Sequence, residues 1–213
     1  MLLSLAIPPS MCARKLMPKQ AKISTDAWID SFVERVNRSP REPKFAEELP
    51  VWLRREQEQD YGPGKGYLAY DWQILETGHN EWIEALERNL PFPFAPSFRS
   101  LVRRYVYPDF TVGPLWLFAN TGQPLYGEMS EAVLRDKHLS RVLVEHGYLH
   151  FARPETGDYD PICFDTGRRL KGGEHPIVRI DHEAILCDSR IGNVRVIAPS
   201  FLEFVREFVQ AGE

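Results

Sequence analysis

Four short apolar runs late in the chain constrain its fold most: "YLHFA" (148–152), "PICF" (161–164), "PIVRI" (176–180) and "VRVIA" (194–198). Turn-forming Gly, Pro, Asp and Asn separate them. Each run is short and rich in β-branched or aromatic residues, and such runs joined by turns predict an antiparallel sheet. A sheet of this kind must bury one face, and the next segment supplies a cover. Residues 200–209 place Phe201, Phe204, Val205, Phe208 and Val209 on one helical face, with Ser200 and Glu203 predicting a capping box.

Helical spacing recurs upstream. Residues 24–36 align Trp28, Ile29, Phe32, Val33 and Val36, and a more charged stretch over 45–59 also reads as helix before the loop "YGPGKGY". Residues 67–76 fit strand and loop alike. Asn80 is placed to cap a helix through Asn89 that carries Trp82, Leu86 and Leu90. After "PFPFAPS", another helix carries Phe98, Leu101, Val102, Tyr105 and Val106. "PLWLF" (114–118) predicts a buried strand, and 130–146 a helix stopped by Gly147. Helices and strands are partly segregated, which is α+β. The expectation is an antiparallel or mixed sheet of about four to six strands packed against helices. It divides the chain into an N-terminal helical extension over 1–75, either separate from or part of the same domain, and a domain over 76–213.

Charge narrows the function classes. The 213 residues carry a formal charge of −4, against the basic face that phosphate contacts require, so no direct nucleic-acid binding is expected. The acidity is densest over 155–188, with eight Asp+Glu against four Lys+Arg. Cys12, Cys163 and Cys187 lack metal-type spacing. The latter two sit in apolar runs and are expected as buried free thiols, which fits a reducing, cytoplasmic setting. The opening "MLLSLAIPPSMCARK" is a poor signal peptide, because its apolar stretch is short, unpreceded by positive charge and broken by prolines. An initiation site at Met11 or Met17 explains it equally well. No apolar run is long enough to span a membrane.

Catalytic motifs fare poorly. "ICFDTG" (162–167) looks like half of an aspartic protease site, but that chemistry needs two carboxylates sharing a proton and the chain has one such triplet. Asp165 is therefore expected as a turn residue at a strand end. The alternative is a hydrolase that uses Asp165 with Asp181 or His182. His146 and His150 are four apart, but Gly147 between them breaks the helix that would align them. His175 and the "DHE" triplet (181–183) offer donors with Asp160 or Asp165, as hairpin residues commonly do without an ion, so no metal or cofactor is expected. "GPGKG" (62–66) lacks the spacing of a phosphate loop, and the pairs Arg103–Arg104 and Arg168–Arg169 read as solvated surface. Core positions are expected for Trp82, Phe98, Trp116, Phe201 and Phe204, whereas Trp28 and Trp52 are also open to a partner surface.

From residue 79 onward the order of segments resembles the SUKH superfamily, which groups fungal Smi/Knr cell-wall regulators with bacterial immunity proteins. The likeness is carried by "NEWIEALERNLP", "FAPSFRSLVRRY", "GPLWLFANTG", "LHFARPETGDYDPICFDT", "HPIVRIDHE" and "APSFLEFV", in that order. "YVYPDF" stands where the family has an Asn-Gly step. The resemblance implies a non-enzymatic protein-binding module, with an immunity protein for a cognate toxin, such as a basic nuclease, as the first expectation. A regulatory scaffold of the Smi/Knr type is the alternative. An acidic face can occlude a basic cleft through many charge pairs, which makes Glu155, Asp158, Asp160 and Asp188 the candidate partner-binding residues.

Overall fold

The computed structural model describes residues 23–55, 57–61, 67–78, 80–122, 128–136 and 138–212. Cys12, the opening apolar stretch and the Gly62–Gly66 loop lie outside them.

The first helix, α1 (Thr25–Arg38), begins where Ser24 Oγ accepts a hydrogen bond from the Ala27 amide at 3.1 Å, and it buries Ile29, Phe32, Val33 and Val36. The helix expected over 45–59 does not form. Strand β1 (Lys44–Phe45) leads into two single 3₁₀ turns, Ala46–Glu48 and Val51–Leu53, followed by β2 (Gln57–Tyr61) and β3 (Tyr67–Tyr70) in the order β1-β3-β2. Pro50 is the physical reason. It has no amide to donate and holds Leu49 extended, at φ −123° and ψ 125°. Arg54 ties the result together by donating to the carbonyls of Leu49 and Ala46.

Strand β4 (Leu75–Glu76) precedes α2 (Glu81–Arg88) and α3 (Pro96–Arg104) and pairs with β5 (Tyr105–Val106). Asn80 does not cap α2 through its side chain. Its amide instead donates to the Val102 carbonyl and to Asn120 Oδ1, inside the protein. Next come β6 (Phe110–Val112), β7 (Leu115–Leu117), a π-helical turn (Glu131–Arg135) and α4 (Leu139–Glu145). The helix expected over 130–146 is thus split at Asp136, whose carboxylate draws the amides of His138 and Leu139 to itself.

The rest is β8 (Tyr148–Pro154), β9 (Ile162–Asp165), β10 (Ile177–Ile180), α5 (His182–Asp188), β11 (Val194–Ala198) and α6 (Phe201–Gln210). All four late runs are strands. They form one antiparallel sheet in the order β11-β10-β9-β8-β7-β6, so the fold is α+β. Tyr105 and Val106, expected on the same helix as Phe98, instead leave it after Arg104 and pair with Leu75–Glu76 as β5. Two details of the later segments also differ from expectation. Ser200 Oγ accepts from the Glu203 amide, but the Glu203 carboxylate pairs with Arg206 instead of closing the box. Cys163 is buried as expected, whereas Cys187 is exposed. Asp181 starts a helix there, and only Ala184 and Ile185 of α5 turn inward.

Phe98 of α3 lies 5.0, 5.2 and 5.1 Å from Phe151, Phe164 and Phe201 (centroid distances), joining helix to sheet and to α6. Phe151 and Phe164 stack at 4.1 Å. Phe32 of α1 reaches Phe201 and Phe208 at 6.3 and 5.5 Å, so α1 buries its apolar face in this same cluster. Trp82 and Trp28 are partly buried against it, while Trp52 is exposed. Among the described residues no helix is long and apolar enough to cross a membrane.

Candidate functional site

Strand register brings several connections to one end of the large sheet. Leu115 pairs with Pro154 and Arg179 with Ile162, so the 155–161 connection lies beside the β6–β7 turn and the start of α5. Asp160 anchors it. Its Oδ2 accepts from Arg179 Nε at 2.7 Å, and its Oδ1 accepts from the His182 amide at 3.1 Å and from His182 Nδ1 at 2.7 Å. Arg179 also donates from Nη2 to Asp158 at 3.0 Å, and Thr156 Oγ1 donates to the same carboxylate oxygen at 2.9 Å. Burial works against the ionised Asp160, but the bonds from His182 and Arg179 together outweigh it and hold the carboxyl below its ordinary range. The Arg179 guanidinium is raised in turn, first by its hydrogen bond to Asp160.

These bonds fix the connection and leave its outer side to solvent. Glu155 and Asp158 are exposed, and Tyr159 is 65% exposed, with its ring near Arg153 and His182. Asp188 lies at the far end of α5, exposed and 3.0 Å from Arg190. The four candidate acids thus differ in kind. Glu155 and Asp158 share one exposed connection, Asp160 is its internal anchor, and Asp188 stands apart.

Asp165 is at the other end of the sheet. It pairs with Tyr148 across β8–β9, accepts from Arg168 Nε, and precedes a turn in which Thr166 bonds to the Gly147 carbonyl. Its amide meets Pro176 O, and from there Asp181 is five residues along, about 16 Å in an extended strand. The hydrolase pairing of Asp165 with Asp181 or His182 is therefore not assembled.

Asp160, Asp181 and His182 do place ligand-type atoms within 4.8 Å of one another. Part of that set is already engaged within the protein, because Arg179 and His182 bond to the two Asp160 oxygens and Asp181 Oδ1 caps the Glu183 amide. His175, considered with this set on sequence grounds, lies at the opposite end near the Arg168 carbonyl. His146 and His150 part company as expected. His146 ends α4, while His150 is buried in β8.

Arg179, the residue that organises the acidic end, went unnoticed in the sequence. Within "PIVRI" it looks like any outward strand cation, and only the register of β10 against β9 reveals its partners.

A model of the SMI1 / KNR4 family (SUKH-1) matches residues 78–207, well over half of the chain. No curated protein matches. The matched span runs from just before α2 into α6 and takes in both ends of the large sheet.

Proposed function

The chain belongs to the SMI1 / KNR4 family (SUKH-1), and from that premise we propose that it is a non-enzymatic protein-binding module, an immunity protein that neutralises a cognate toxin by occluding its active site. One observation supports this reading above the others. The 155–161 connection presents Glu155, Asp158 and Tyr159 outward while Arg179 and His182 hold it from behind. A contact surface that is already fixed loses little entropy on docking. Carboxylates around an exposed aromatic suit a basic partner such as a nuclease, over an interface of roughly 1,600 Å².

The test is capture of the tagged protein from cells that make the candidate toxin, at low and high salt, followed by association kinetics with the purified toxin. The comparison is a Glu155→Gln, Asp158→Asn, Asp188→Asn variant, which leaves the Asp160 anchor in place. Association at low salt should slow by about tenfold and lose much of its salt dependence. An unchanged rate and salt slope would remove the acidic end as the docking surface. Toxin that passes the wild-type protein without binding would remove the immunity function itself.

A further inference from the structure

At the opposite end of the sheet, a trough runs between α3 and the 166–175 connection. Its larger part, about 570 Å³, is lined by Arg99, Arg103, Arg104, Arg169 and His175, with Asp26 as its one carboxylate, so cations prevail. A second depression of about 430 Å³, where Glu84 and Glu87 stand among Arg88, Arg99 and Arg103, shares Phe92, Pro93, Arg99 and Arg103 with it, so the two adjoin.

The arginines are held from behind. Arg99 Nε and Arg103 Nη2 both donate to Oε2 of Glu87, whose side chain is 8% exposed, at 2.9 and 3.0 Å. One carboxylate oxygen thus orients two guanidiniums, and Arg103 Nε is buried without a hydrogen-bond partner among the described residues. Arg104 is held similarly by Asp30 at 2.7 Å. Across the trough Arg169 is exposed and makes no ion pair among the described residues. The N-terminus of α3 is no vacant anion site, since Glu174 already accepts from the Ser97 amide and hydroxyl at 2.8 and 2.7 Å. Those bonds pin the far wall to α3. Next to Glu174, Gly172 and Gly173 both adopt left-handed φ, 80° and 83°, and a Cβ on Gly173 would come within 3.4 Å of Pro96 and 3.6 Å of Arg169.

We infer that this trough receives an extended, carboxylate-rich segment of a protein partner, a contact distinct from the acidic end. The inference rests on the protein-binding function proposed above and adds the chemistry of a second contact. Arg99 and Arg103 are one helical turn apart, about 6 Å along the axis. Alternate residues of an extended chain repeat at about 6.6 Å, so acidic side chains two apart can meet successive guanidiniums. Two adjoining depressions that share the apolar Phe92 and Pro93 fit a peptide better than a compact anion. Residues 1–22 of this chain are no candidate occupant, because they carry four Lys+Arg and no Asp or Glu.

The test is fluorescence anisotropy at low ionic strength on the full chain, with a labelled decapeptide of alternating Glu and Ser. The same peptide with Gln for Glu and a labelled single-stranded DNA ten-mer are the comparisons. The Glu peptide should bind, the Gln peptide should not, and Arg169→Glu should weaken binding about tenfold through like-charge repulsion. Arg99→Gln should also weaken it. Unchanged far-UV circular dichroism and melting temperature would show that both variants fold. Equal binding of the Glu and Gln peptides, tighter binding of the DNA, no binding at all, or well-folded variants that bind like wild type would each overturn the inference. These outcomes leave the toxin experiment untouched, since that reads the acidic end with a different ligand.

Discussion

Glu128 is 1% exposed and accepts from the Thr121 amide and hydroxyl, yet burial outweighs those bonds and raises its carboxyl to about 7. The folded protein therefore keeps a proton that the unfolded chain releases near pH 4.3. That contribution to stability is fully present below about pH 4.3 and is lost as pH rises to about 7. Glu128→Gln should remove this fall, measured as urea midpoints across the pH range. If both proteins show the same slope there, Glu128 is ionised in the fold. His150 acts in the opposite sense. Burial, followed by the charge of Arg153, lowers its pKa to about 3, so its contribution is lost as pH falls below the ordinary histidine value. The wild-type slope mixes the two, which is why the comparison must be with the variant. Neither burial was legible in the sequence. Glu128 looked like one acid among thirty, and its environment is made by the Ala119–Glu128 bridge.

Among the elements, α1 tests how firmly the segment before the matched family span is joined to the rest. Phe32 is fully buried against Phe201 and Phe208, so Phe32→Ala should cost about 3–5 kcal/mol in urea denaturation. A loss under about 1 kcal/mol would mean that the site collapses around the missing ring. Residues 1–75 were expected as a helical extension, and α1 was legible because its apolar residues keep helical period. The same holds for α3 and α6, and the late strands were legible as short runs between turns. Residues 45–59 were not, because their charged residues follow no clear period and Pro50 interrupts any helix there. The α5 helix was hidden by its length. Over seven residues only Ala184 and Ile185 are buried, too few to establish a period. The acidic residues themselves were legible, but the contrast between exposed Asp158 and the anchored Asp160 depends on tertiary partners.

At the scale of the molecule, the sheet separates two unlike surfaces, with carboxylates around 155–161 at one end and arginines facing the trough at the other. They share no residue and lie far enough apart to act independently on any partner that touches both. Combining Glu155→Gln and Asp158→Asn with Arg169→Glu should then give a loss of toxin affinity equal to the sum of the separate losses, within about 0.5 kcal/mol. Calorimetric titration of the three variants checks this, and a combined loss well short of the sum would mean that the ends are coupled. The meeting of α1 with α6 has a further consequence, for synthesis on the ribosome. More than 160 residues separate Arg38 from Phe201. At about 5–20 residues per second, α6 is made roughly ten to thirty seconds after α1 has been translated. During that interval α3 can cover the Phe32 face only in part, so the nascent chain carries a sticky stripe that a chaperone must shield or the growing sheet must tolerate.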